Sequence, residues 1–298
     1  MTAPGLVNWD EVPERRVEAG DIAFRRRRLG AAAGSFRIGC SLYAVDAGAR
    51  QMPLHEHGDE EEIFFVLEGD GLSVHGDDAC EIRAGDAIAH PPQTGAHTLI
   101  AGPAGLRLLA FASGTDTSLT WLPRAGVMWA GPRWVPLDAP HPFQAEAAAG
   151  PLEPPAPGPR PGNVVAIGDV DTGSFPGVEV RALGKCAGAV RSGLNHVTLP
   201  AGGSGAPAHC HALEEELFVV LDGDGTLRLG ADEHPLRAGD VIARPPSTGV
   251  AHSLRAGDGG LVYLAYGTRV AGDSVYYPEL GKVRLRGLGV VLDVPSPG

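Results

Sequence analysis

The sequence has few lysines, cysteines and aromatic residues, and no long apolar run. Of its 24 basic residues only Lys185 and Lys282 are lysines, and 36 acidic residues outweigh them all to leave a net charge of −12. That balance excludes a nucleic-acid-binding surface and a polybasic membrane contact. No stretch of ~18 apolar residues is present to span a bilayer, and Met1 to Asp10 lacks the basic-then-apolar layout of a secretory leader. The expectation is therefore a cytoplasmic protein. Its four cysteines (Cys40, Cys80, Cys186 and Cys210) show no CxxC spacing, and in a reducing compartment they are not expected to pair. Helical patterning is scarce too, with one possible turn at Ala145 to Ala149.

What the chain does contain is glycine (43), proline (26) and a 43% hydrophobic share, a turn-rich composition that still builds a core. It also repeats itself. Leu29 to Gly34 matches Leu183 to Gly188, His55-Glu56-His57 meets His209-Cys210-His211, and Glu62 meets Glu216, all 154 positions apart. Arg83-Ala84-Gly85-Asp86 meets Arg237-Ala238-Gly239-Asp240 at the same offset. One inserted residue later, His97 pairs with His252 and Pro123 with Pro278. A register held this long is a duplication. Between the copies, residues 138–158 are proline-dense and read as a semi-rigid extended linker. The expected division is thus a first domain over 1–137 and a second over 159–298.

Within each copy the apolar runs are strand-like. Ile63 to Leu67 and Leu217 to Leu221 each stop at Gly-Asp-Gly, which reads as a hairpin turn. Short strands recur every 8–12 residues, so the fold class is all-β, with two tandem antiparallel barrels of jelly-roll type.

Residues i and i+2 of a strand share a face. His55 and His57 project together, as do His209 and His211. Glu62 and Glu216 open the next strand, and His97 and His252 follow a Pro-Pro-x-Thr-Gly segment. Three imidazoles and one carboxylate make an N₃O set suited to Fe, Mn or Ni, with Zn possible, up to one ion per barrel. In acidic runs such as Asp59 to Glu62 and Glu214 to Glu216, the glycine seven residues on selects Glu62 and Glu216, and the other acids are expected in solvent.

These residues resemble the cupin superfamily, in its double-barrel form. The first family motif stands here as Gly48…His55-Glu56-His57…Glu62…Gly69 and Gly203…His209-Cys210-His211…Glu216…Gly223. The second appears as Gly85…Pro91…His97 and Gly239…Pro245…His252. The asparagine often found four residues after the last histidine is replaced by Ala101 and Ala256. The tail from Asp273 to Lys282 is weakly similar to that of a poorly characterised bacterial subgroup of double cupins. The resemblance implies two jelly-roll barrels (double-stranded β-helices), each with all four family metal ligands.

Other positions carry weaker signals. His90 and its counterpart Arg244 read as surface positions. His75, His141 and His234 read as exposed, and His196 as not part of a site. Arg37 and Arg191 are open to a role toward a carboxylate, whereas Arg83 and Arg237 read as turn residues. Arg25 to Arg28 reads as the solvated face of a strand. Trp121, Trp129 and Trp134 read as interface packing, and no cysteine has a partner histidine on its own strand face.

The leading expectation is a metal-dependent oxygenase acting on a small organic substrate, with Glu62 or Glu216 taking a proton. The alternatives are a redox-neutral isomerase or decarboxylase of a sugar or hydroxy acid, and a non-catalytic small-molecule-binding protein. No nucleic-acid or membrane partner is expected, and a homodimer is possible.

Overall fold

In the computed structural model, residues 5–294 are described except 36, 114–117, 131–132, 136–139 and 176, along with the side chains of 133–135, 174 and 175. Each half builds one eight-stranded and one four-stranded antiparallel sheet, with the same strand order in both halves. In the first half the long strand Glu61–His75 lies between His97–Ser113 and Asp86–His90. In the second, Glu216–Leu229 lies between His252–Thr268 and Asp240–Arg244.

The Gly-Asp-Gly segments do not turn the chain, contrary to the sequence reading. Strand Glu61–His75 runs straight through Gly69-Asp70-Gly71, with register shifts against His97–Ser113 on either side of Glu68 to Gly69. Glu216–Leu229 does the same around Asp222 to Gly223. Gly69 has φ of +85°, and a Cβ there would stand 2.2 Å from Gly105 O; at Gly223 the corresponding distance to Gly260 O is also 2.2 Å. The glycines serve bulges that bend one long strand around the barrel rather than hairpins that end it.

Two strands cross the division drawn from the sequence. Leu6–Asn8 pairs with Asp240 to Ile242 of the second barrel, and Val164–Ala166 pairs with Asp86 to Ile88 of the first. The barrels also share a core. Phe65, Leu109 and Phe111 pack in one cluster with Leu217, Val219, Leu264 and Tyr266, and the Phe111 and Tyr266 rings stack with centroids 5.1 Å apart.

Acids expected in solvent hold this junction. Glu61 is wholly buried, accepting hydrogen bonds from the Ser192 hydroxyl and from the Val190 (2.9 Å) and Arg191 (3.4 Å) amides. Glu215 is likewise buried and accepts from the Arg37 amide at 3.1 Å. Burying a carboxylate is tolerated only when such donors compensate it, which explains the correction. The guanidinium of Arg191 is engaged with Asp59, and that of Arg37 with Leu213 O.

The proline-rich stretch is no free spacer. Helix Pro142–Ala148, capped by His141, buries Glu146 completely against Arg50 (2.6 Å), which also grips Asp21. Further on, the Leu152 amide donates to Asp21 and the Gly158 amide to Ala79 O. The segment is thereby fastened to the first barrel. Trp121 is 42% exposed, so it is not packed between the barrels, and the side chain of Trp134 lies outside the described set. Among the described residues, no helix is long and apolar enough to cross a membrane.

Candidate metal centres

The HxH pair, the opening glutamate and the last histidine come from three separate strands. Isolated bridges His55↔His97 and His209↔His252 bring them together at one end of each barrel. In the first barrel, Nε2 of His55, His57 and His97 lie 3.3, 3.2 and 3.0 Å from Glu62 Oε2. In the second, Nε2 of His209, His211 and His252 lie 3.3, 3.3 and 3.0 Å from Glu216 Oε2. The four residues expected in each barrel thus lie around one glutamate oxygen, although His211 in the second also faces Asp273 and Glu214 through its other nitrogen.

Several of these close approaches are not hydrogen bonds. His57 Nε2, His252 Nε2 and Glu216 Oε2 are buried without a properly aligned partner. Lone pairs that converge on a common point without bonding one another fit a cation between them. The Nδ1 edges support this fit. His55 Nδ1 meets Pro53 O at 2.7 Å and His209 Nδ1 meets Pro207 O at 2.8 Å, so each donates there and leaves Nε2 free as a ligand. Each barrel therefore has a His/Glu group able to hold a divalent metal.

The electrostatics agree. Burial alone would raise the Glu62 and Glu216 carboxyls, but their three histidines outweigh it and hold both well below the usual carboxylate range. Burial pulls His97 down to about 4 and also lowers His252. Burial opposes the charging of His211 as well, but Glu216 and Asp273 outweigh it and raise that imidazole to about 9.

The second group has a feature that sequence reasoning missed. Asp273, fully buried, places Oδ2 2.7 Å from His211 Nδ1, while its Oδ1 accepts the Leu213 and Glu214 amides. Glu214 stands 3.9 Å from the same Nδ1 and is paired with Arg286. These carboxylates are satisfied by amides and a guanidinium, so they form a network behind the ligand rather than a further ion site.

His90 and Arg244 are not surface residues. Each lies opposite the glutamate of its group, His90 across from Glu62 and Arg244 across from Glu216, and they are 3% and 8% exposed. Cross-strand partners share a face, so both point inward. His90 stacks on His97, and His75 follows it with ring centroids 4.9 Å apart, so His75 is not free in solvent either. Arg244 donates to Val250 O at 3.0 Å, its Nε has no partner, and it lies near enough to Glu216 to feel its charge. Strand parity offered the signal, since Ile88 and Ile242, two residues back, are core positions.

Comparison with known proteins gives a consistent picture. A model of the cupin domain matches residues 41–111 and again 195–265. The oxalate decarboxylase of Lactobacillus farciminis, solved as a formate complex, superposes with a TM-score of 0.64 over 92% of this chain and 88% of that one, at 18% identity. Oxalate decarboxylase from Bacillus subtilis gives 0.60 over 88% and 75%, at 16% identity. At such identities the likeness is one of fold. An uncharacterized protein of Methanocaldococcus jannaschii is 40% identical over 50 residues, which span 17% of this chain and 39% of that protein.

Proposed function

The chain belongs to the cupin superfamily as a bicupin, and from that premise we propose that it is a metal-dependent enzyme acting on a small carboxylate-bearing molecule by redox-neutral chemistry, decarboxylation foremost. The carrying observation is the pair of N₃O groups, each with three Nε2 atoms within 3.3 Å of one carboxylate oxygen. The ligands would be His55, His57, Glu62 and His97 in one barrel and His209, His211, Glu216 and His252 in the other. A bound divalent cation supplies Lewis acidity toward a substrate oxygen. Manganese is favoured because the Bacillus subtilis oxalate decarboxylase is described with Mn(II) centres.

The residues divide the remaining work. The imidazoles hold position, those of His55, His57, His209 and His211 with a partner behind them at Nδ1. Arg244, charged and facing inward beside Glu216, is suited to a substrate carboxylate. Glu62 and Glu216 keep 15% and 21% side-chain exposure, so the carboxylate side of each group is reachable, and they remain our choice for accepting a proton. In decarboxylation a C–C bond breaks, CO2 leaves and a proton takes its place, with no net oxidation. The sequence ranked an oxygenase first; Arg244 and the fold relatives now favour the decarboxylase. Four unpaired cysteine thiols suit a cytoplasmic location.

The test is an assay of the Mn(II)-loaded protein on a panel of small di-, hydroxy- and keto-acids, oxalate included, following CO2 and O2 together. CO2 release without net O2 consumption is the expected result. O2 consumed in step with product would restore the oxygenase reading, and metal-loaded protein inert toward the whole panel would leave a binding protein.

A further inference from the structure

The two centres share their four inner residues; besides His90 in one against Arg244 in the other, they differ directly behind one ligand histidine. In the second barrel His211 Nδ1 faces the buried carboxylate of Asp273 at 2.7 Å. In the first, the equivalent His57 Nδ1 faces the Thr120 hydroxyl at 3.1 Å. Pairing Thr120↔His57 and Val275↔His211 makes Thr120 the counterpart of Val275, and hence Ser118 the counterpart of Asp273. Ser118 turns away, donating to Glu60. A nearby glutamate is common to both barrels, Glu60 at 3.8 Å from His57 and Glu214 at 3.9 Å from His211, so it does not distinguish them.

Resting on the reading that both barrels hold a divalent cation, we propose that Asp273 is a positioning residue for the second centre and that this centre binds the cation more tightly than the first. A carboxylate on Nδ1 fixes the proton there, aims the ring and makes Nε2 a stronger donor to the ion. A hydroxyl is neutral, and it can donate to Nδ1 as readily as accept from it, so it does not fix the tautomer of His57. Asp273 is itself immobilised, because two backbone amides hold its other oxygen. One charge opposes the effect, that of Arg244, but it makes no hydrogen bond to a ligand, whereas Asp273 touches one directly.

The experiment uses two full-length single-site proteins, His55→Ala, which leaves the second centre, and His209→Ala, which leaves the first. Each is titrated with Mn(II), reading the EPR signal of the free aquo ion. The second centre is expected to bind at least tenfold tighter. Adding Asp273→Asn to the His55→Ala protein should weaken it by ~10- to 100-fold. The Asn oxygen stays on the two amides, so its NH2 faces Nδ1 and drives the imidazole proton onto Nε2. Adding Thr120→Val to the His209→Ala protein should cost less than about fivefold, since only a neutral hydroxyl bond is lost. A gain guards against misfolding as an explanation: Ser118→Asp with Thr120→Val should tighten the first centre by about tenfold. Equal affinities in the two single-site proteins, or an Asp273→Asn protein that binds unchanged, would overturn the proposal. No Mn(II) uptake by either single-site protein nor by the wild type would instead overturn the metal reading, and this inference with it.

Discussion

The imidazole of His90 lies flat on that of His97, ring centroids 3.7 Å apart and planes 5° from parallel. His97 is one of the four residues of the first candidate centre, so a residue outside that set fixes the tilt of one inside it. Replacing His90 by alanine removes the support and leaves a void beside the His97 ring. The expected cost is about 2–4 kcal/mol of stability, read as a lower urea midpoint, together with Mn(II) binding in the first barrel weakened by about tenfold. His90→Phe, which keeps a ring against His97, should recover most of both. If the alanine variant binds Mn(II) like the wild type, the stack does not position His97.

A second expectation concerns the segment between the repeats. Arg50 is 1% exposed and Glu146 fully buried, and their charges meet at 2.6 Å. Glu146→Ala leaves Arg50 with Asp21 alone, at a cost of about 3 kcal/mol. Because the pair is out of water, that loss should be nearly the same in low and high salt. Limited proteolysis supplies the check, with cleavage expected between residues 140 and 160 in the variant first. A variant as resistant as the wild type would mean that the ion pair does not fasten the segment.

The proteolysis expectation marks where the sequence stopped being readable. The barrels, their duplication and all eight inner residues were legible, because HxH spacing and strand parity act over a few residues and the repeat supplied a second copy. What failed was long-range. Nothing local says that Leu6–Asn8 will pair with Asp240 to Ile242, or that Glu61 will meet Ser192. Gly69 was misread because glycine serves a bulge as well as a turn, and only the partner strand decides. Arg244 was read as a surface position because its counterpart in the first copy is a different residue, His90, although its parity with Ile242 already pointed inward. Asp273 stood out only as the start of a tail with a weak resemblance, and nothing local tied a lone aspartate before a strand to His211.

Acid should expose the buried imidazoles of the metal-free protein. Burial lowers His90 well below the ordinary imidazole range, with the neighbouring His97 and His75 adding to it, and burial brings His97 to about 4. Their folded values lie below the unfolded value of about 6.5. As pH falls from about 6.5 toward 4, the unfolded chain binds protons that the folded chain refuses, and stability drops. His57 does not counter this, because its raised value gives stability already complete below about 6.5 and lost only as pH rises through the folded value. Each lowered histidine contributes a slope of about 1.4 kcal/mol per pH unit once its unfolded form is protonated. Urea unfolding after chelation, at steps between pH 7 and 4.5, should therefore show a fall that is shallower in His90→Phe. Parallel profiles for the two proteins would mean that His90 is protonated in the folded state.

Arg244 gives the sharpest separation between binding and architecture. Its guanidinium faces inward opposite Glu216, with one terminal nitrogen on Val250 O and the Thr248 hydroxyl and an Nε that has no protein partner. A carboxylate bound there would gain a charge-assisted hydrogen bond of about 1.5–3 kcal/mol, or about 10- to 100-fold in affinity. Arg244→Gln can still donate to Val250 O but offers no charge, so Mn(II) content should stay at the wild-type level while KM rises by that factor. If the bond is equally strong in ground and transition states, kcat stays nearly constant. Arg244→Lys restores the charge without the planar fork and should recover only part of the loss. These constants are to be measured on whichever acid the panel turns over. A fall in metal content would assign Arg244 to the architecture of the centre, and an unchanged KM would remove it from the substrate site altogether.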